Sequence, residues 1–417
     1  MYRVHKRSVP FSGPAARRLA AAMLAGFAWA AGAELPAASI RYLGENRLSG
    51  LSAAVVVEGH ALAHTAQLLP LDGAGRVVGE GSVDAQLAQA LFNLESALAA
   101  AGTDTDHLVK INFYVDSPKT ASAARGMLDK RFRAPVRPAF SWVVTRLPHP
   151  QAILALDAVA AVPGGGPAGV VRCAGPVAAG QGAETCAAVL PIGDAVYVSG
   201  WPEKGDLQAA AAKSLEGLLK TLQHAGLDCR QVVHVKVFLR AVDQAAAVRG
   251  RIAAAFAGQP LPPLTFVEWA ADLPVEIELI AAAPRGRALP PSGDTVSYFT
   301  PPGIPASPLY SRVARAHAGP IVYLSGLYAE KPGDGEAQVR DIFRSLQESL
   351  RLAGSDLRHL VKATYYCTDK ESSDTLNTIR AELYDPRRAP AASKAAVRGV
   401  ATADRSIAVD MIAVPAP

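Results

Sequence analysis

The 417-residue chain is expected to fold as α+β, in three tandem units that each carry two helices on one face of a mixed β-sheet. Three observations lead there. One phrase recurs, as "HLVKINFYVDS" from His107, "VVHVKVFLRAVD" from Val232 and "HLVKATYYCTD" from His359. Each copy follows an Ala-Gly pair ending in Gly102, Gly226 or Gly354; the spacings of 124 and 128 residues suit a whole domain, not a solenoid repeat. Around every copy the hydrophobic period changes in the same order, from alternation to a helical stripe and back.

Residues 1–33 stand apart. They hold Arg3, Lys6, Arg7, Arg17 and Arg18, no acidic residue, and the apolar run "LAAAMLAGFAWAAGA". That run ends in Ala31-Gly32-Ala33, with Ala28-Trp29-Ala30 a second small-residue triplet, the pattern of a cleaved export signal. About 15 apolar residues fall short of the roughly 20 that span a bilayer. A periplasmic or secreted protein is therefore expected, with no membrane attachment once the signal is removed.

Units are expected over 34–165, 166–288 and 289–417, joined by the Pro/Gly-rich stretches "AVPGGGPAGVVRCAGPVAAGQG" and "APRGRALPPSGDTVSYFTPPGIPAS". Each opens with a hairpin: "AAVVVEGHALAHTAQ", "GDAVYVSG" or "GPIVYLSG". An amphipathic helix follows. Its buried face is Leu87, Leu91, Leu94, Leu98 and Ala101 in the first unit, and Ala211, Leu215, Leu218, Leu219 and Leu222 in the second. In the third it is Val339, Ile342, Phe343, Leu346 and Leu350. The glycine closing each Ala-Gly pair suits a left-handed cap. Then come the recurring strand, a second helix near 119–132, 243–256 or 372–384, and two closing strands. The closing pairs are "AFSWVVTRLP" with "AILALDAVAAV", "LTFVEWAADL" with "VEIELIAAA", and "AASKAAVRGVA" with "SIAVDMIAV".

Composition narrows the function. Half the residues are apolar and 19% charged, as in a soluble globular protein. The net charge of +5 comes from the leader: setting its five cations aside leaves 37 basic against 37 acidic residues. A neutral body has no general attraction for a nucleic-acid backbone. Of the four cysteines, Cys173 and Cys186 bracket a Gly/Pro-rich segment; in an oxidising compartment they either close it as a disulfide or remain free thiols. Cys229 and Cys367 have no zinc-like spacing. His64, His107, His234 and His359 sit at strand ends without metal or triad spacing and read as structural or surface residues. No P-loop, HExxH, dinucleotide fingerprint or clean Ser-His-Asp pattern is visible.

The order of elements, with "VYLSG", the Ala-Gly pairs before the "LVK"-like strands and the closing "LPVEIELIAAA", resembles the Rid (YjgF/YER057c/UK114) family over essentially everything after the leader. The resemblance implies chorismate-mutase-like units and hydrolysis of reactive imines and enamines without a metal or organic cofactor. Single-unit members form trimers with clefts between subunits, so three linked copies imply a monomer that acts as its own trimer, with tethering supplying high local concentration. A ribonuclease activity, sometimes ascribed to the family, fits poorly with a neutral, exported body.

The resemblance also implies a carboxylate-gripping arginine on the penultimate strand and a water-orienting glutamate on the last. Here Phe140, Leu264 and Ala392 occupy the arginine position, and Ala155, Glu276 and Ala408 the glutamate position. Displaced cations are then the substitutes: Lys394, two residues beyond Ala392 on the same strand face, or Arg137, three residues before Phe140. Lys394, Glu276 and Arg137 are the catalytic candidates. Tyr310, Ser325 and Asn377 match polar cleft positions, and Arg398 is expected to continue the face of Lys394. These losses point to degenerate clefts that bind a small carboxylate or imine-like metabolite, or else to a hydrolase working through a displaced cation.

Overall fold

The computed structural model describes residues 38–46, 51–132, 134–175, 185–283 and 293–417. The export signal expected at 1–33, and parts of both joins, lie outside the described residues. No described helix is long and apolar enough to cross a membrane.

The first unit runs β1 (Ser39–Leu43), β2 (Ala54–Glu58), β3 (Ala61–Thr65), α1 (Val83–Ala100), β4 (Leu108–Val115), α2 (Pro118–Arg131), β5 (Ala139–Val144) and β6 (Leu154–Val162). The second runs β7 (Val171–Cys173), β8 (Ala187–Leu190), β9 (Asp194–Glu203), α3 (Leu207–His224), β10 (Val232–Leu239), α4 (Ala245–Ala255), β11 (Leu264–Glu268) and β12 (Val275–Ala283). In the third come β13 (Val296–Phe299), β14 (Val313–Ala316), β15 (Ile321–Leu324), α5 (Gly335–Leu352) and β16 (Leu360–Cys367). It closes with α6 (Lys370–Leu383), β17 (Ala391–Ala396), β18 (Gly399–Val400) and β19 (Ile407–Ala413).

Local chemistry explains the helix limits. Ser82, Asp206 and Asp334 cap α1, α3 and α5 by accepting from the N–H three residues on. At the other ends Gly102, Gly226 and Gly354 take φ of +77°, +75° and +70°, where a Cβ is disfavoured. Each of these helices buries its predicted leucine-rich stripe against its own sheet, giving three separate cores. Burial of one such side chain contributes about 1.5–3 kcal/mol.

The hairpins predicted at the start of each unit do not pair with themselves. β2 joins β15 of unit three, while β3 joins β8 of unit two. Likewise β14 of unit three joins β9 of unit two. The resulting sheet orders are β1-β2-β15-β19-β16-β17, β11-β10-β12-β9-β14-β13 and β18-β5-β4-β6-β3-β8-β7. Every sheet thus contains a strand pair donated by the next unit, and the exchange closes in a ring. The reason is one of equal local and better global pairing: a strand makes the same ladder with an equivalent neighbour as with its own hairpin partner. The exchange adds covalent continuity across each boundary. These shared sheets join the three units into one body.

The sheet faces turned from the helices meet along a pseudo-threefold axis. Val55, Leu62, Val109, Tyr197, Val233, Tyr323 and Val361 pack at one end, and Tyr114, Phe238, Trp269 and Tyr366 at the other. Between them lies a polar chamber of ≈ 60 Å³ lined by residues of all three units. A bulge at Leu108/Lys110, repeated at Val232/His234 and Leu360/Lys362, turns these central strands so that their polar residues face it. Lys110 reaches Asp410 at 2.7 Å, Lys362 reaches Glu278 at 2.5 Å, and Thr265 donates to Asp157 at 2.8 Å. Each contact joins a different pair of units. In the two ion pairs, removing one partner would leave an uncompensated buried charge, a loss of about 3–5 kcal/mol.

Candidate functional site

The three boundaries between units are chemically unlike. At the boundary of units two and three, β9 carries a bulge at Ser199-Gly200, because Val198 faces Leu279 and Trp201 faces Ile277 on β12. The bulge frees Ser199 Oγ to accept from Ala392 N of β17 at 2.7 Å. It also brings Gly200 against Glu276: a Cβ there would lie 1.8 Å from Glu276 Oε1 and 2.5 Å from Ser393 Oγ. Glycine is required for that approach.

Glu276 is buried, and burial pushes its carboxyl up to about 7; the Ser393 hydroxyl, Lys362 and Arg312 pull the other way. Arg312, on the residue before β14, donates to Gly200 O at 2.9 Å. Its guanidinium lies 4.5 Å from the Trp201 ring centroid and 5.4 Å from that of Tyr310, an aromatic slot suited to a planar cation. Burial lowers its proton affinity, with Tyr310 and Glu276 opposing. Gly217 of α3 leaves room for the Trp201 indole, which a Cβ would meet at 2.4 Å. The boundary therefore holds a carboxyl that titrates near neutrality and a fixed guanidinium, with Tyr310, Trp201, Asn377 and Lys394 half-buried around them. That set can bind an anion and pass a proton.

Equivalent places elsewhere are filled. Between units three and one, Ala408 stands for Glu276, Ala53 for Arg312 and Leu51 for Tyr310, all buried. Phe140 and Trp142 occupy the positions of Ala392 and Lys394, and Trp142 stacks on Phe113 at 4.3 Å. Tyr328 closes over them, donating to Trp142 O at 2.9 Å. Between units one and two, Ala155 and Cys186 replace the glutamate and the arginine. There the Gln67 amide donates to Phe266 O at 3.0 Å and plugs the space.

The structure brings together some of the sequence-predicted residues. Glu276, Tyr310, Asn377 and Lys394 share the boundary of units two and three. Lys394 turns towards α6, with Nζ 3.1 Å from Asn377 Oδ1 and 3.4 Å from Ser373 O. Burial, then Arg380, lowers its proton affinity. Ser325 lies at the boundary of units three and one, where its hydroxyl accepts from Phe140 N at 2.9 Å and donates to Ser52 O at 2.6 Å. Arg137 donates to Leu51 O at 3.1 Å on that same boundary, apart from Glu276. Arg398 does not continue the strand face of Lys394, because β17 ends at Ala396; its guanidinium pairs with Glu268 of unit two. Cys173 and Cys186 are free thiols, Cys186 Sγ donating to Cys173 O at 3.2 Å.

Arg312 escaped the sequence reading. Its one signal is positional: in the strand entering the exchanged pair, units one and two carry Ala53 and Cys186 where unit three carries arginine. Leu264, at the arginine position of unit two, lies against unit one instead, its carbonyl accepting from Gln67 N at 2.9 Å. Each glutamate position looks across to the penultimate strand of the next unit.

A family model described as Endoribonuclease L-PSP matches three times, over residues 47–162, 183–283 and 303–415. Solved structures match one unit's length. A YjgF-family protein from Neisseria meningitidis is 21% identical over 29% of this chain and 96% of its own, with a TM-score of 0.23. A Rid-family protein of unknown function from Yersinia pestis is 26% identical over 27% of this chain and 86% of its own, TM-score 0.25. A YjgF/YER057c/UK114 member from Mycobacterium tuberculosis is 22% identical over 22% and 78%, TM-score 0.21. No curated protein matches. With three matches that together span most of its length, each on one of the three structural units, the chain belongs to the Rid family that this model describes as Endoribonuclease L-PSP.

Proposed function

We propose that the protein is an exported Rid-family hydrolase with one surviving cleft, between units two and three, and two degenerate ones. The cleft takes a small carboxylate-bearing imine or enamine. Arg312 holds the substrate carboxylate, its fork offering two parallel hydrogen bonds. Glu276, ionised, takes one proton from water as the water oxygen adds to the imine carbon and passes it to the nitrogen. It then relays the remaining hydroxyl proton to the nitrogen as the C–N bond breaks, so that ammonia leaves with both. The carbonyl product remains. The observation that carries this reading is Glu276: a buried carboxyl poised near pH 7 beside a guanidinium, where both other clefts have alanine.

The test follows ammonia release from 2-aminoacrylate generated in place. Glu276→Gln is expected to lose about 100-fold or more in turnover, and Arg312→Met a similar factor. Unchanged turnover in both variants, or none in the wild type, would defeat the hydrolase reading. If Lys394→Ala alone abolished turnover, the gripping cation would be Lys394 and not Arg312. Export rests on the leader, and an N-terminus at Glu34 in the secreted protein is the expected outcome.

A further inference from the structure

At the far end of β12 from Glu276, seven residues and roughly 23 Å along the strand, three side chains meet that the sequence keeps far apart. Ser297 Oγ lies 2.7 Å from His317 Nε2. His317 Nδ1 lies 3.2 Å from Asp194 Oδ2. We propose that Ser297, His317 and Asp194 form a second site, a serine nucleophile with its base and orienting carboxylate, that hydrolyses small carboxylic esters.

The tautomer follows from the network. Facing a carboxylate, Nδ1 carries the proton, which leaves Nε2 to accept from the Ser297 hydroxyl. Asp194 is held in place: its Oδ1 accepts from Ala318 N at 3.0 Å and its Oδ2 from Arg315 Nε at 2.7 Å. Asp194 and His317 keep about a tenth of their side-chain surface exposed, so the pair is sheltered without being sealed.

Strand position supplies the remaining parts. β13 is an edge strand, paired on one side by β14 with Ser297 opposite Arg315. His317 N donates to Thr295 O, which sets the phase of that ladder. By alternation Ser297 directs its own backbone groups to β14, and the next N–H, that of Tyr298, faces the open edge. That N–H, immediately after the nucleophile, is the donor for the oxyanion. Arg315 adds positive charge on the same sheet face.

The chemistry balances without a cofactor. Ser297 Oγ bonds to the ester carbonyl carbon while its proton passes to His317 Nε2. The C–O bond then breaks, and the alcohol leaves with that proton. Water repeats the sequence in reverse roles, releasing the acid and restoring the serine.

The probes are diisopropyl fluorophosphate, read by intact mass and peptide mapping, and p-nitrophenyl acetate. One adduct on Ser297 and parallel ester hydrolysis are expected from the full chain. Ser297→Ala should abolish the adduct, and His317→Asn should slow labelling by about 100-fold. Asp194→Asn should depress labelling and shift its pH profile, an effect that mere loss of packing does not produce. Ammonia release at the Glu276 cleft should be untouched in Ser297→Ala. Absence of a Ser297 adduct in folded wild-type protein, or ester hydrolysis that survives Ser297→Ala, overturns the proposal.

Discussion

Where units two and three meet, β17 lays Ala392, Ser393 and Lys394 beside Gly200, Trp201 and Glu276; where units three and one meet, β5 lays Phe140, Ser141 and Trp142 beside Gly326, Leu327 and Ala408. The backbones correspond: Ala392 pairs with Ala363 and Phe140 with Ile111, each nine residues after its helix-ending glycine. The difference lies in what the side chains do with the same space. One boundary spends it on a carboxyl, a guanidinium and half-buried polar groups; the other fills it with stacked aromatic rings. Duplication within one chain permits that division. In a symmetric trimer every substitution appears at all three boundaries at once, whereas here each boundary can change alone.

The largest expected effect separates packing from chemistry. Trp142→Ala should cost about 3–5 kcal/mol, because the indole is fully buried on Phe113. Chemical denaturation should show that loss, while ammonia release per folded molecule stays the same. A fall in turnover matching Glu276→Gln would show that the filled boundary also works.

Next come the two glycines. Gly200→Ala forces a Cβ to 1.8 Å from Glu276 Oε1, and about 1–3 kcal/mol is the usual cost of such overpacking. Turnover should fall with it. Gly326→Ala meets Ser141 Oγ at 3.1 Å, so a smaller loss of stability and normal turnover are expected. Equal effects from the two substitutions would erase the distinction between the boundaries.

A pH series sharpens the contrast between cleft and axis. Glu276 is raised from 4.5 to about 7, mainly by burial, so the unfolded chain gives up this proton first. Its contribution is therefore fully present below pH 4.5 and declines as pH rises towards 7. His64 and His234 on the axis are lowered by burial from 6.5 to about 3 and about 4. There the unfolded chain binds protons first, so stability declines as pH falls from 6.5 towards 4. The terms oppose each other over the same window. Glu276→Gln should make acid destabilisation steeper and His64→Phe should make it shallower, as read from melting temperatures at pH 4.5 to 7.

The smallest effect is reserved for Lys394→Ala. A half-buried lysine bonded to Asn377 and Ser373 should cost under about 0.5 kcal/mol of stability. A change confined to KM would mark it as an outer contact for the substrate anion, compared with a loss in kcat at Glu276.

Much of the scaffold could be read directly. Helices expected near 119–132 and 372–384 appear at Pro118–Arg131 and Lys370–Leu383, since caps and apolar stripes are written within a few residues of one another. "VEIELIAAA" is a strand from end to end. The partner of a strand is not written that way. The apolar run "AVVVE" specifies an extended segment buried on both faces, and β8, β14 or β15 serve equally as neighbours by that criterion. The site suffered for the same reason. Glu276 was visible, but its cation arrives on a donated strand from another unit. Ser297, His317 and Asp194 are likewise joined only by the edge of a shared sheet.

By itself the sequence determined three copies of one α+β unit, their helices and their glycine stops, because propensity, capping and amphipathic period act over neighbouring residues. Tertiary structure alone decided which strands cross between units, which boundary keeps a carboxyl beside a guanidinium, and which are packed shut. Those choices depend on residues more than a hundred positions apart meeting in a closed ring, and no local pattern encodes a meeting at that distance.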